Sequence, residues 1–203
     1  MKLTWNGHSC FTLETAQGSV VFDPYKDNYV PGLAPMKLAA DLVLCSHNHN
    51  DHGAREVVCL SGQGTTPQVD TIATFHDPEQ GALRGLNTIH IVTAEGMRLA
   101  HLGDLGCELE PEQKELLKGL DVLLIPVGGF YTIDAKQAHA LVQELNPRIV
   151  VPMHYRSDTF GYEVIAPVAD YLALCGESVH YDSNQMEITA GTPAQTAVFT
   201  YCP

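Results

Sequence analysis

Asp41-Leu42-Val43-Leu44-Cys45-Ser46-His47-Asn48-His49-Asn50-Asp51-His52-Gly53 decides how the rest of the chain is read. Its first half is a short apolar run and predicts a buried strand. Its second half places three histidines and an aspartate within six residues and closes on a glycine. Nitrogen and carboxylate donors at that density suit a borderline cation such as zinc. In extended backbone, side chains two apart project to one side, so His47 and His49 can pinch one ion. A turn after Asn50 then aims Asp51 and His52 at a second ion beside it. A His-x-His-x-Asp-His string arises by chance in roughly one chain per thousand of this size, so a coincidental surface loop is the weaker reading.

Outward from that stretch, the chain reads as strands first and then strands alternating with helices. Residues 2–5, 10–15 and 19–22 alternate or cluster apolar side chains between Asn6-Gly7 and Gln17-Gly18. Asp23-Pro24 ends the third strand, and a Pro- and Gly-bearing connection over 25–36 leads to the strand at 42–45. A short helix is expected around 55–60. Strands follow near 70–75, 88–93 and 97–102, the last two turning at Glu95-Gly96. Pro111 opens a helix that runs to Leu117, and 122–126 is an unbroken apolar strand. The clearest helix begins at Thr132 or Asp134 and ends at Leu145, with Ala138, Leu141, Val142 and Leu145 on one face and Asn146-Pro147 as its stop. A strand at 149–152, a helix over 164–175 and strands near 179–181, 186–189 and 197–201 complete the chain. This order predicts an α/β protein of one domain over residues 1–203, sheets inside and helices outside. Asp23, His47, His76, Asp104 and His154 each follow the end of a predicted strand, and strand ends gathered on one rim are where such a fold builds a site from distant sequence.

Composition narrows the partners. Of 203 residues 45% are hydrophobic and 17% charged, ordinary for a globular protein. The net charge of −13, from 24 acids and 11 bases without a basic cluster, disfavours nucleic acid as a partner. A small-molecule substrate is expected, and an anionic one remains open because bound metals dominate the local field. Residues 1–8 lack the apolar core of a signal peptide, and no run approaches the ~18 apolar residues of a membrane span. The six cysteines (Cys10, Cys45, Cys59, Cys107, Cys175, Cys202) are scattered without a Cys-x-x-Cys pair, which fits a reducing compartment and cytoplasmic residence. Homo-oligomerisation is left open.

With these residues in hand, the sequence resembles the metallo-β-lactamase superfamily. The likeness is to its small branch of ascorbate-6-phosphate lactonase-like and N-acylphosphatidylethanolamine phospholipase D-like hydrolases. The motifs stand in family order: Asp23 in Val20-Val21-Phe22-Asp23-Pro24, His47-x-His49-x-Asp51-His52, His76, Asp104 in Gly103-Asp104, and His154. The resemblance implies a four-layer αββα sandwich with two divalent metals at one edge of the sheets. Zinc is expected, with manganese or iron as alternatives. It makes His47, His49 and His76 ligands of one metal, makes Asp51, His52 and His154 ligands of the other, and sets Asp104 between the two. Asp23 would support the histidine loop by hydrogen bonding. His101 competes with His76 for the first metal; as it lies three residues from Asp104 on the same predicted strand, it is expected on the opposite face. His8, His101, Tyr131 and Tyr155 are candidate pocket residues, each set against an ordinary packing role.

The activity so implied is hydrolysis of an ester, lactone, amide or phosphodiester by a hydroxide held between two ions, with Asp51 relaying a proton. No Gly-x-Ser-x-Gly nucleophile or phosphate-binding Gly-rich loop competes with it. Two alternatives stand beside it. One is an iron-dependent oxidoreductase of the same fold, similar to the persulfide dioxygenases. The other is a non-catalytic metal-binding protein, which has little use for seven ligands where four close a structural site.

Overall fold

Alternation of buried and half-exposed side chains sets the first sheet. The computed structural model describes residues 1–62 and 65–203. In β1 (Lys2–Gly7) the buried positions are Leu3, Trp5 and Gly7, so one face turns inward at period two. β1 pairs antiparallel with β2 (Cys10–Thr15), which pairs antiparallel with β3 (Gly18–Phe22). β5 (Leu42–Leu44) adds to β3 in parallel, and β13 (Gln185–Glu187) closes the other edge. The order of this sheet is β13-β1-β2-β3-β5.

The second sheet has seven strands in the order β12-β14-β11-β10-β9-β8-β7. Its members are β7 (Gln68–Phe75), β8 (Leu86–Ala94), β9 (Met97–His101), β10 (Val122–Pro126), β11 (Ile149–Met153), β12 (Val179–Tyr181) and β14 (Gln195–Phe199). β10 and β11 are buried at every position, which is why they read as unbroken apolar runs: a parallel strand covered on both faces has no polar side. The helices α1 (Pro111–Leu116), α2 (Ala135–Leu145) and α3 (Val168–Cys175) all lie in the stretches that connect strands of this sheet. Asp134 caps α2 by accepting from Gln137 N at 2.9 Å while the Gln137 side chain returns to Asp134 N, and Asn146 ends the helix at φ 48° ahead of Pro147. Ala138, Leu141 and Leu145 are its buried face.

The mixed α/β class is as expected. Two helices differ from expectation, each for a local reason. The helix expected at 55–60 is a single 3₁₀ turn, Arg55–Val57, running into β6 (Val58–Leu60). β6 pairs in parallel with β4 (Leu38–Ala40), and the β-branched pair Val57-Val58 favours that pleated pairing over helix. Among the described residues, then, the first half of the chain supplies a two-stranded ribbon and one turn where a short helix was expected. α3 begins at Val168 instead of 164, because Pro167 drives Ala166 out of helical geometry and serves as the N-cap itself.

Strand direction decides where the site falls. β3 and β5 run in parallel, so Phe22 and Leu44 end side by side, and Asp23 N donates to Leu44 O at 3.0 Å. β7 and β9 both pair antiparallel with β8, and β10 and β11 run parallel to β9. β7, β9, β10 and β11 therefore finish on one rim, delivering His76, Asp104 and His154. Thr88 N donates to Ser46 O at 2.9 Å and joins that rim to the end of the first sheet. All six cysteines are unpaired. No helix among the described residues is long and apolar enough to cross a membrane.

Candidate metal centre

The loop after β5 is wound tightly: His49 O accepts from His52 N at 3.0 Å and from Gly53 N at 2.8 Å. That turn separates His47 and His49 on one side from Asp51 and His52 on the other. Beneath it sits Asp23, fully buried, at φ 42°. Its carboxylate accepts from Ser46 N (2.6 Å), Ser46 Oγ (2.6 Å) and His52 Nδ1 (2.8 Å). Burial opposes ionisation of Asp23, but the neighbouring histidines, His101 first and then His52, outweigh it and hold its pKa down at about 2.

These bonds fix which nitrogen each histidine turns toward the cavity. His52 spends its Nδ1 proton on Asp23. Ser46 Oγ, having given its own proton to Asp23, accepts from His47 Nδ1 at 2.9 Å. His76 Nδ1 donates to Tyr131 O at 3.1 Å. In all three Nε2 is the nitrogen left facing inward, the arrangement that outer hydrogen bonds impose on metal-binding imidazoles.

The inward atoms converge in three groups whose donor atoms lie within 4.8 Å of one another: His47, His49 and His76; His8, Asp51, His52 and His154; and His47, His52 and Asp104. Asp104 Oδ2 stands 3.1 Å from His52 Nε2 and 3.3 Å from both His76 Nε2 and His154 Nε2. Asp51 Oδ2 is 3.7 Å from His52 Nε2 and from His8 Nε2. Asp104 is held by Asn87, whose Oδ1 accepts from Asp104 N at 2.9 Å while its amide donates to Thr74 Oγ1 and Leu102 O.

Electrostatics in this cradle favour a bound positive charge. Burial, with His154 and His52 adding to it, depresses His8 to about 4, and burial and then His52 depress His47 to about 3. His52 goes the other way: burial lowers its pKa, yet Asp104 and Asp51 together raise it well above the usual histidine value. Asp104 is held well below the carboxylate range, burial being outweighed by His154 and His52. Both ring nitrogens of His8 and of His154, the Nε2 of His47 and of His52, and Asp104 Oδ1 are buried without a hydrogen-bond partner. Each such atom costs roughly 1–3 kcal/mol. Nitrogen and oxygen donors orphaned together, without sulfur, fit one or more divalent cations of the zinc type.

His76, not His101, stands with His47 and His49. His101 Nε2 donates to Ser9 O at 2.8 Å, its Nδ1 accepts from Gly103 N at 3.1 Å, and its ring stacks on Phe22 at 5.1 Å. Neither nitrogen is left over. A cavity of about 290 Å³ opens onto the cluster, lined by Tyr29, His49, Asp51, His76, Arg84, Asp104, Tyr131 and Tyr162. Of the four candidate pocket residues only Tyr131 lines it. His8 lies behind the wall within the second donor group, and His101 is buried on the far side of Asp23. Tyr155 packs against Trp5 and Phe160 at 5.6 and 6.1 Å, an aromatic core role. Tyr29, Arg84, Tyr162 and the positioning residue Asn87 were not singled out from sequence. Arg84 had one visible signal, being the sole lysine or arginine between Arg55 and Arg98. Nothing local marked the tyrosines.

A buried cradle of histidines and carboxylates, set where two sheets end together, is the build of a metal-dependent α/β enzyme. Residues 2–154 match the family model described as the beta-lactamase superfamily domain, and the chain belongs to that superfamily. It is 30% identical to a UPF0173 metal-dependent hydrolase of Thermoplasma acidophilum, over 77% of this chain and 84% of the relative. A second such hydrolase, from Opitutus terrae, is also 30% identical, over 78% and 86%. Among solved structures, a protein of Thermotoga maritima assigned to the metallo-beta-lactamase superfamily as a Zn-dependent hydrolase superposes with a TM-score of 0.77. It is 32% identical, with 98% of this chain and 97% of that one covered. The chain is thus a member of a lineage of metal-dependent hydrolases.

Proposed function

We propose that the protein hydrolyses a small-molecule ester, lactone, amide or phosphodiester with two zinc ions held in this cradle. His47, His49 and His76 would hold one, and Asp51, His52 and His154 the other, with Asp104 between them. The observation that carries this reading is the convergence of three imidazole Nε2 atoms on the Asp104 carboxylate, those of His52 and His154 buried without a hydrogen-bond partner. Divalent ions bound there would supply a Lewis acid and a water whose pKa falls from 15.7 toward about 7.

The chain's own residues do the rest. Asp23, Ser46 and the Tyr131 carbonyl orient the imidazoles before substrate arrives, so little reorganisation remains for the reaction. Asp51 has the exposure and position to take up and pass on a proton: it borders the cavity, and the Tyr162 hydroxyl donates to its Oδ2 at 3.4 Å. Tyr29, Tyr131 and Tyr162 enclose the substrate on the solvent side. A cavity of about 290 Å³ suits a small molecule, and a net charge of −13 with one cation in the lining gives little purchase for a polynucleotide.

The test is metal content by elemental analysis of protein purified without chelator, followed by hydrolysis assays on aryl esters, lactones and bis(4-nitrophenyl) phosphate. Two zinc per chain and chelator-sensitive turnover of at least one substrate are expected. A single iron per chain with oxygen uptake would overturn the hydrolytic reading in favour of an oxidoreductase, and metal without any turnover would favour a binding protein.

A further inference from the structure

The arginine side chains of this acidic protein are, with one exception, spoken for. Of its five arginines, Arg55 donates to Val43 O, Arg98 to Lys118 O and Leu116 O, Arg148 to Asp121 and to Thr189 O, and Arg156 to Ile165 O. Arg84 is the exception. Among the described residues its guanidinium has no hydrogen-bond acceptor and no carboxylate within ion-pair reach, and it is the one arginine that lines the cavity over the donor cluster. A planar group with five N–H donors left unsatisfied in a concave site is matched to a carboxylate or phosphate that accepts two of them at once.

Its placement is also built rather than incidental. The guanidinium carbon lies 5.6 Å from the centre of the Tyr131 ring, and that ring lies 6.5 Å from His154 and 6.1 Å from Tyr162. At that distance over the ring, the Tyr131 π face attracts the guanidinium and holds it at the cavity wall. The loop beneath is fastened by Asp77, whose side chain is buried. Asp77 Oδ1 accepts from Glu79 N and Gly81 N at 2.8 and 3.0 Å, and Oδ2 from Leu83 N and Arg84 N at 3.1 and 2.7 Å. One carboxylate next to His76 thus fixes the backbone that presents Arg84. A mobile surface arginine has no such anchor.

We infer that Arg84 is the specificity-determining residue of the site and that the substrate carries an oxyanion, a carboxylate or phosphate, beside the bond that is cut. Tyr131 lies against both Arg84 and His154, and Arg84 shares one cavity with His49, Asp51, His76 and Asp104, so an anion held by Arg84 sits beside the group that reacts at the cluster. This rests on the hydrolase reading for the word substrate, but the anion site is testable without turnover.

Zinc-loaded wild type, Arg84→Lys and Arg84→Ala are titrated calorimetrically with phenylphosphonate, phenylacetate and the neutral phenylacetamide, with zinc content measured in each sample. At least tenfold weaker binding of one or both oxyanions to Arg84→Ala is expected, with Arg84→Lys between and phenylacetamide unchanged in all three. Which oxyanion loses more identifies the phosphate or the carboxylate class. Equal oxyanion affinity in wild type and Arg84→Ala at equal zinc content overturns the inference, as does oxyanion binding that vanishes in His49→Ala but persists in Arg84→Ala. Aryl ester hydrolysis is read in the same samples: its absence in wild type counts against the hydrolase alone, because the binding titration still reports on Arg84.

Discussion

Replacing Asp23 by asparagine isolates one oxygen atom's contribution to the centre. The native carboxylate takes three hydrogen bonds in a site closed to solvent. The asparagine carbonyl can keep the bond from Ser46 N, and its amide can donate to Ser46 Oγ. That leaves an N–H facing His52 Nδ1–H, two donors with nothing between them. The imidazole relieves this only by moving its proton to Nε2, which removes the lone pair from the cavity. One charge-assisted bond is lost and two are weakened, about 3 kcal/mol in all at roughly 1.5–3 kcal/mol for a bond to a charged group. Loss of the support behind a metal-binding histidine costs a further 10–100-fold in cation affinity. Urea unfolding of chelator-treated protein reads the first quantity, and zinc titration against a competing indicator reads the second. Stability within 0.5 kcal/mol of wild type together with unchanged zinc affinity would refute the role given to Asp23.

His49 is exposed, so His49→Ala should leave chemical stability within about 0.5 kcal/mol while abolishing turnover and lowering bound zinc; full activity would remove it from the site. Gly103 has φ +56°, and a Cβ there would collide with Ser46 Cβ and Asn87 Oδ1, so Gly103→Ala should destabilise by more than about 2 kcal/mol in thermal unfolding. His8 predicts a pH dependence of the metal-free protein: its folded pKa of about 4 lies below the ordinary 6.5, so the unfolded chain binds more protons between those values. Stability attributable to His8 is complete above pH 6.5 and is lost as pH falls through 4, by about 3 to 3.5 kcal/mol. The difference between wild type and His8→Asn in chelator-treated samples should show that slope and be flat above pH 7.

What was legible in the sequence follows from range. The histidine loop announces itself because its donors are neighbours, and β10 and β11 because full burial leaves an unbroken apolar signature. His76, Asp104 and His154 are isolated letters, readable only as residues that follow strand ends in a fixed order. His101 shows why: it ends a strand three residues before an aspartate, and the bonds to Ser9 O and Gly103 N take it out of contention. Arg84, Tyr29 and Tyr162 come from loops without periodicity, and their meeting in one cavity depends on how those loops cross the rim. The β4–β6 ribbon was missed for a related reason: three-residue strands carry too little pattern to outweigh an apparent helix.

The knot at Asp77 has a consequence for how such a protein diversifies. A single carboxylate ties off residues 78–85, between His76 and the next strand, through four backbone N–H groups, so the fastening itself asks nothing of the side chains at 79, 83 and 84. If Arg84 selects the substrate as inferred above, exchanging its side chain alone would alter which molecule is recognised while the backbone beside His76 keeps its place.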